Sequence, residues 1–466
     1  MHDRVGADTG TRLPLAMASR PKVAIVGSGI AGLSAAWHLD RHCDVMVFER
    51  EDVPGGHSHS VNVGTEEAPV WIDMGFIVFN EPGYPNLVAL FRALDVPYQL
   101  SDMSFGVSIN RGSLEYSSLG FRGLFAQTRN LFRPRFLSLL LDIVRFYREA
   151  PKDHVARSRT DYRLGDYLKD RNYGRAFIDD HLLPQAAAIW STSAGQVMDY
   201  PFHAFITFFE NHGLLQVLDR ILWHSVIGGA QAYVSKLMMP FAHRIHTGAA
   251  ITSVSRHAAG VVLTDATGRV HHFDQVVFAT HADTTLRLLG DGATNDERRT
   301  LGAFKYTSNT VVLHTDASFM PRRKAAWSSW NYHGERTASA EQQLCVTYWM
   351  NLLQVLKTRQ DYFVTLNPSH PVDPEKIIQV RHFEHPLFNA EAIAAQSHLG
   401  ALQGQDHTWF CGAYFGSGFH EDGLQSGLAV AEAITGVARP WDFDWTQSRI
   451  RYNPWTESSA FLQAAE

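Results

Sequence analysis

Cysteine is scarce in this sequence: three residues in 466, Cys43, Cys345 and Cys411, too far apart for a CxxC pair or a metal-ligand spacing. That excludes a disulfide framework and fits a reducing, cytoplasmic setting. Long apolar runs are also missing, since nothing approaches the roughly 18 residues that a spanning helix needs. Neither sign of charge dominates: 41 Lys and Arg stand against 47 Asp and Glu, a formal net charge of −6, which gives no general reason to expect nucleic-acid binding. The 24 histidines contain no HExxH pair and no clustered ligand set, so no metal is expected. Internal repeats and low-complexity linkers are absent. The first residues lack the continuous apolar core of a signal peptide. Residues 1–19 are therefore expected to be a disordered leader, with Met17 as an alternative start just ahead of the first strand. What remains is ordinary globular material, 45% hydrophobic and 19% charged, long enough for two interleaved or successive domains.

The clearest signal is local. Lys22-Val23-Ala24-Ile25-Val26 is an apolar run suited to a buried parallel strand. Gly27-Ser28-Gly29-Ile30-Ala31-Gly32 follows as G-x-G-x-x-G and leads into helical spacing over Leu33–Leu39. Gly27 permits the tight turn, Gly29 lets backbone approach a pyrophosphate, and Gly32 lets helix and strand pack closely. The helix N-terminus favours a negative pyrophosphate through its free N–H groups and dipole. A second strand, Asp44–Phe48, ends at Glu49 with Arg50 beside it, which places the Glu49 carboxylate to accept hydrogen bonds from ribose hydroxyls. Strand, glycines, helix, strand and acid in this order predict a dinucleotide site.

Gly55-Gly56-His57-Ser58 lies just beyond that unit, and Val70-Trp71-Ile72-Asp73-Met74-Gly75-Phe76 comes next. With these segments the sequence resembles the flavoprotein superfamily of amine oxidases and phytoene desaturases, in which Gly-Gly-Arg wraps the pyrophosphate of FAD and an Asp-x-Gly strand follows. His57 stands where Arg is usual. At the far end, Trp409–Tyr414 and Gly416–Gly427 resemble the strand and loop that lead into the last helix, expected over Leu428–Ile434. In the family the N-terminus of that helix faces the flavin N1–C2=O edge and stabilises reduced flavin. The resemblance places Gly412, Asp422, Gly423 and Leu424 at this edge; Asp422 is equally suited to capping the helix. Ala413 stands where the family usually has an acid. The segment before the last motif has no Cys for covalent attachment, so the FAD is expected to be non-covalent.

In the middle of the chain, Ile227–Gln231 resembles a Gly-Gly segment before a helix, Ile251 the residue touching adenine, and Gln275–Thr280 the strand returning beside the dinucleotide. Val261–Leu263 and Val270–Phe273, joined by a turn at Asp265–Gly268, read as a hairpin. The implied fold is α/β: a discontinuous Rossmann-type FAD-binding domain over 20–85, 225–290 and 395–440, with an amine-oxidase-like mixed α+β substrate domain over 86–224 and 291–394, and a C-terminal tail over 441–466. A six-strand sheet under the flavin is the family pattern, and the aromatic residues of 326–332 and 348–349 read mainly as its core.

These features, together with Asn211–Leu215, narrow the resemblance to bacterial FAD-binding proteins similar to the flavin portion of plant cyclopropane fatty acid synthases, from about Lys22 to Trp441. That implies hydride removal from a fatty-acyl substrate, by a desaturase or an oxidase. A soluble amine or polyamine oxidase releasing hydrogen peroxide stands as an alternative, as does a non-catalytic flavoprotein partner of a lipid methyltransferase. Amine oxidases of the superfamily often hold a water near flavin N5 with a Lys, for which Lys305 is the nearest candidate, a surface Lys being the bland reading. His420 and Glu421 are candidates for acid or base, loop and capping roles weighing equally. Tyr414 and Phe415 are candidates for the aromatic rings that amine oxidases present. Finally, 120–150 interleaves Phe121, Leu131, Phe132 and Phe136 with Arg122, Arg129, Arg133 and Arg135. This pattern suits either peripheral contact with the inner membrane face or a helical cover for the substrate cavity.

Overall fold

The computed structural model describes residues 20–156, 162–190, 194–216, 221–334 and 345–455. The leader expected over 1–19 lies outside the described residues.

Lys22–Val26 forms the central strand of a five-stranded parallel sheet, buried at every residue but Lys22. Its neighbours are Asp44–Phe48 on one side and Gln275–Phe278 on the other, with Ile245–His246 and Thr408–Phe410 at the edges. A parallel strand buried on both faces calls for a continuous apolar run, which these segments supply. The glycine-rich helix, Ile30–Leu39, is buried along its whole length. The last helix, His420–Thr435, packs directly on it.

That last helix begins eight residues before the expected Leu428. Its early glycines are the reason: a Cβ at Gly423 would lie 2.9 Å from Ile30 Cγ2, and one at Gly427 would overlap the Ala31 carbonyl. Here glycine serves close helix–helix approach rather than a loop. The 441–455 stretch is packed rather than trailing, because Ile450 and Tyr452 are buried in the same core and Trp441 stacks on Trp37 at 6.0 Å.

The hairpin expected at 261–273 is present, extended by Ile251–His257 into a three-stranded sheet beside the dinucleotide sheet. The second large layer has seven strands among the described residues rather than six, in the order 377–387, 305–314, 363–366, 345–349, 330–334, 105–109 and 114–117. The hairpin 105–117 joins it through a parallel pairing of Phe105–Ile109 with Trp330–Gly334. The aromatic stretches pack within this layer: Trp330 meets Tyr348 at 4.7 Å and Trp327 meets Trp349 at 5.3 Å. A separate helical region around Pro134–Ala156 and Phe202–Asn211 has its own core of Phe146, Tyr167, Phe177, Phe202, Phe205 and Phe209.

Candidate active site

The turn after the first strand is fixed by backbone geometry. Gly27 sits at φ +103°, and a Cβ there would lie 2.8 Å from the Ala279 carbonyl oxygen. A Cβ on Gly32 would overlap the Gly27 carbonyl, so this glycine sets the depth at which the helix meets the sheet. Gly29 behaves differently: it is the helix N-cap, no side chain caps the helix there, and a Cβ on it would meet no protein atom within 4 Å. An uncapped helix N-terminus opening onto free space is where a pyrophosphate fits, held by the N–H groups that follow Gly29.

Glu49 is buried beside this turn. Its Oε2 accepts hydrogen bonds from Ser28 N at 2.9 Å and Ser28 Oγ at 2.6 Å, and its Oε1 accepts from Glu51 N at 3.0 Å. One lone pair on Oε1 remains for a ribose hydroxyl. Arg50 points away, exposed and paired with Glu51 at 3.2 Å. The loop Gly55–Ser58 folds over the turn, with Gly55 N donating to the Ser28 carbonyl, and a Cβ on Gly56 would lie 3.1 Å from Gly29 Cα. Gly75 holds the next strand against this loop, since a Cβ there would overlap the His57 carbonyl, which accepts from Phe76 N at 2.8 Å. Ile251 is buried at the start of its strand, Thr280 Oγ1 bonds Thr285 Oγ1 at 2.8 Å, and Gly412 N donates to Ser426 Oγ at 2.9 Å.

Beyond this cradle four imidazoles converge from four segments. His57 lies 5.5 Å from His385 and 6.4 Å from His281 between ring centroids, and 4.8 Å from Phe383. The His57 ring is bonded to the backbone of Glu384, and His281 Nδ1 lies 3.3 Å from the Glu384 carboxylate. His420 stacks on Phe76 at 3.8 Å, and its Nε2 lies 2.6 Å from Tyr233 Oη, which is 2.5 Å from Ser58 Oγ. Burial, with the neighbouring imidazoles, holds His57 well below the ordinary histidine value. Burial pushes His385 down to about 4 and His420 to about 3. All are held neutral near pH 7, so the cluster carries no positive charge, and the same burial makes each ring a weaker base than a free imidazole.

The acids of the last motif are committed elsewhere. Glu421, a candidate acid or base, is fully buried and accepts from Asn86 N, Asn86 Nδ2 and Leu87 N, capping the helix Pro85–Ala93. Asp422 accepts from Ser417 N at 2.9 Å and Phe419 N at 2.8 Å, closing the first turn of its own helix, and pairs with Arg449 Nε at 2.8 Å. Of its two expected roles the structure shows the cap. Leu424 is buried. Asp73 caps the helix Ala230–Met238 through Ala230 N at 2.8 Å and also binds Gln354. Lys305 is exposed at the first residue of its strand, opposite Leu387 and two residues from Thr307, the strand partner of His385. Tyr414 and Phe415 are core residues, the Tyr414 ring packing on Phe304 at 5.0 Å. Tyr233, His281 and His385 gave no sequence signal, because each joins the site only through tertiary contact.

These shifts predict how stability depends on pH. His181, His314, His333 and His385 are lowered to about 4, and His212 and His420 to about 3, by burial. A lowered histidine binds its proton more weakly when folded. Its contribution is therefore complete above the unfolded value, ~6.5, and is lost as pH falls toward the folded value, by on the order of 1 kcal/mol per group per pH unit. Asp73 and Glu421, raised to about 7 by burial, act in the opposite sense and lose stability as pH rises through 7. The six imidazoles outweigh the two carboxyls. Thermal melts should peak near neutrality and fall steeply below about pH 6; a flat profile to pH ~4.5 would show that these rings titrate freely.

The sequence profile of the family described as flavin-containing amine oxidoreductase matches residues 30–353. Among solved structures, cyclohexylamine oxidase from Brevibacterium oxydans is 15% identical, with a TM-score of 0.62 over 90% of this chain and 99% of that one. Putrescine oxidase bound to putrescine is 13% identical, with a TM-score of 0.61 over 90% and 99%. The fatty acid isomerase of P. acnes that produces CLA is 15% identical, with a TM-score of 0.59 over 88% and 98%. No curated protein sequence matches.

Proposed function

The chain belongs to the flavin-containing amine oxidoreductases, an FAD-dependent oxidoreductase family, and from that premise we propose that its substrate is a neutral, hydrophobic fatty-acyl chain and that its FAD is held non-covalently. One observation carries the reading. Around His57 the buried ionisable side chains are neutral imidazoles, and the nearest carboxylate, Glu384, is half-exposed and turned to His281, while Glu421, Asp422 and Asp73 spend their carboxylates as caps and ion-pair partners. A site built to bind an ammonium group needs an uncommitted anion or an aromatic cage. Here Tyr414 and Phe415 are packed into the core. The fold serves both chemistries among its relatives, as the names putrescine oxidase and fatty acid isomerase indicate.

Bound in the cradle, FAD supplies a hydride acceptor. Removal of hydride from one carbon of an acyl chain, with loss of a proton from its neighbour, leaves a carbon–carbon double bond. The proton goes to a neutral imidazole. His420 is the candidate acceptor, its ring oriented by the hydrogen bonds that link Nε2, Tyr233 Oη and Ser58 Oγ; burial makes it a weak base, so it holds the proton only transiently before passing it to solvent as product leaves. His57 and His385 pack against Phe383 and each other beside it.

The test is anaerobic reduction of the purified holoprotein, following flavin absorbance with unsaturated, methyl-branched and cyclopropane acyl phospholipids and with polyamines. Bleaching by an acyl lipid is expected. Under those conditions His420→Ala should slow reduction about 10²-fold, the low end for loss of a general base because neighbouring imidazoles remain, with flavin content unchanged. Bleaching by polyamines alone would establish an amine oxidase instead. Bleaching by neither would favour a flavoprotein partner of a lipid methyltransferase.

A further inference from the structure

The surface between Leu119 and Val144 is apolar where a water-facing surface should not be. Phe132 is 84% exposed, Leu141 73% and Phe121 72%, with Leu119, Leu131, Leu137 and Val144 also exposed. On the helix Pro134–Ala156 the exposed Leu137, Leu141 and Val144 follow helical spacing. The opposite stripe, Phe136, Leu139 and Phe146, is buried in the protein core. The helix is thus apolar on two faces and the protein covers only one. Phe121 packs on Phe125, and Phe125 on Phe136, so the preceding turn belongs to the same structure.

Charge decides what covers the other face. Between Glu115 and Asp142 the chain carries Arg122, Arg129, Arg133 and Arg135 and no acidic residue, in a protein whose net charge is −6. Arg133 and Arg135, with Ser113 and Asp180, line a surface cavity of about 270 Å³ at the start of the helix. Arg135 is bonded to Asp180 at 2.9 Å, while Arg129 and Arg133 reach the Ser113 carbonyl, so the guanidinium groups are held at the edge of the patch. Large apolar side chains rimmed by fixed arginines match the acyl region and phosphate layer of a bilayer. Among the described residues no helix is long and apolar enough to cross a membrane. The geometry points to an interfacial docking surface: residues 119–144 seat this protein on an anionic phospholipid bilayer, with Phe121, Phe132 and Leu141 entering the acyl layer and Arg122, Arg129 and Arg133 meeting headgroup phosphates, Arg135 being paired with Asp179 and Asp180. The acyl-substrate reading gives this docking its purpose, but the docking itself stands on the patch alone.

The experiment is co-sedimentation of the holoprotein with vesicles of pure phosphatidylcholine and of equal parts phosphatidylcholine and phosphatidylglycerol. It measures binding without turnover, so it fails or succeeds independently of the substrate assignment. Binding to the anionic vesicles, weakened by salt, is expected. Phe132→Ser and Phe121→Ser should each lower partitioning about tenfold, and Arg122→Gln about fivefold, with flavin content unchanged. No binding to either vesicle, or binding that these variants leave unchanged, would overturn the proposal. A dimer in solution that Phe132→Ser splits would overturn it in favour of a second copy of the chain.

Discussion

Gly29→Ala is expected to give a folded protein that has lost its flavin, and Gly32→Ala one that has lost flavin and stability together. The two glycines are three residues apart in one motif, yet they face different things. A Cβ on Gly29 meets no protein atom within 4 Å, so the polypeptide accommodates it at the few tenths of a kcal/mol typical of changing an N-cap glycine. The space it enters is where the cradle would hold a dinucleotide, and a methyl group in a packed contact there costs on the order of 1–3 kcal/mol, about ten- to a hundredfold in affinity. A Cβ on Gly32 overlaps the Gly27 carbonyl and lies 3.0 Å from Ala279 Cβ. Because both neighbours are fixed at the ends of adjacent sheet strands, the helix itself must move outward. That movement withdraws the N–H groups that hold the pyrophosphate. The check is the ratio of flavin to protein absorbance after purification, together with the melting temperature of flavin-stripped protein. Gly29→Ala should match the parent in the second and not the first. A Gly29→Ala protein that retains its full flavin would show that the dinucleotide does not run past this glycine.

The two variants also mark how far the sequence alone carries. The cradle from Lys22 to Glu49 is legible because every contact that defines it is local: the turn, the helix start and the terminal acid lie within one strand–helix–strand unit. The roles of Glu421 and Asp422 are not, because a carboxylate beside a glycine-rich segment reads the same whether it faces a cofactor or a distant helix. Only the fold brings Asn86 and Leu87 to Glu421, and Arg449 to Asp422. The imidazole cluster is hidden for the same reason, since His57, His281, His385 and His420 come from four separate stretches. The early start of the last helix did leave a trace. Gly423 and Gly427 are one turn apart, the spacing with which one helix face approaches another, and Ala31 and Ser34 lie at the matching spacing on the first helix. The seventh strand left none, because Phe105–Ile109 is recruited by a pairing with residues more than two hundred positions away.

Arg439→Met is expected to cause a large loss of stability. Arg439 and Glu432 are 2% and 1% exposed, and they meet through Nε–Oε1 and Nη2–Oε2 contacts of 2.7 Å each, with Arg439 N adding a third bond to Oε1 at 2.8 Å. The remaining Nη1 donates to Asn86 Oδ1 at 2.8 Å, which also accepts from Trp441 Nε1 at 3.1 Å. Asn86 in turn donates through Nδ2 to Glu421 at 2.8 Å. The pair therefore connects the two ends of the last helix through one asparagine, and the N-terminal end is the one that presents His420. Removing the guanidinium leaves the Glu432 carboxylate buried without a counter-charge, which costs about 3–5 kcal/mol. It also frees Asn86 to turn. Urea unfolding of the holoprotein should show that loss as a lower midpoint with an unchanged slope. Adding Glu432→Gln should restore a large part of it, because no unpaired charge is then buried. If Arg439→Met costs less than about 1 kcal/mol, Glu432 must already be reached by water and the network carries little. If it costs the full amount and the double variant recovers, the stiffness of the last helix rests on a paired charge. The N-terminal end of that helix should then loosen in the single variant, seen as faster flavin release at a denaturant concentration where the fold persists.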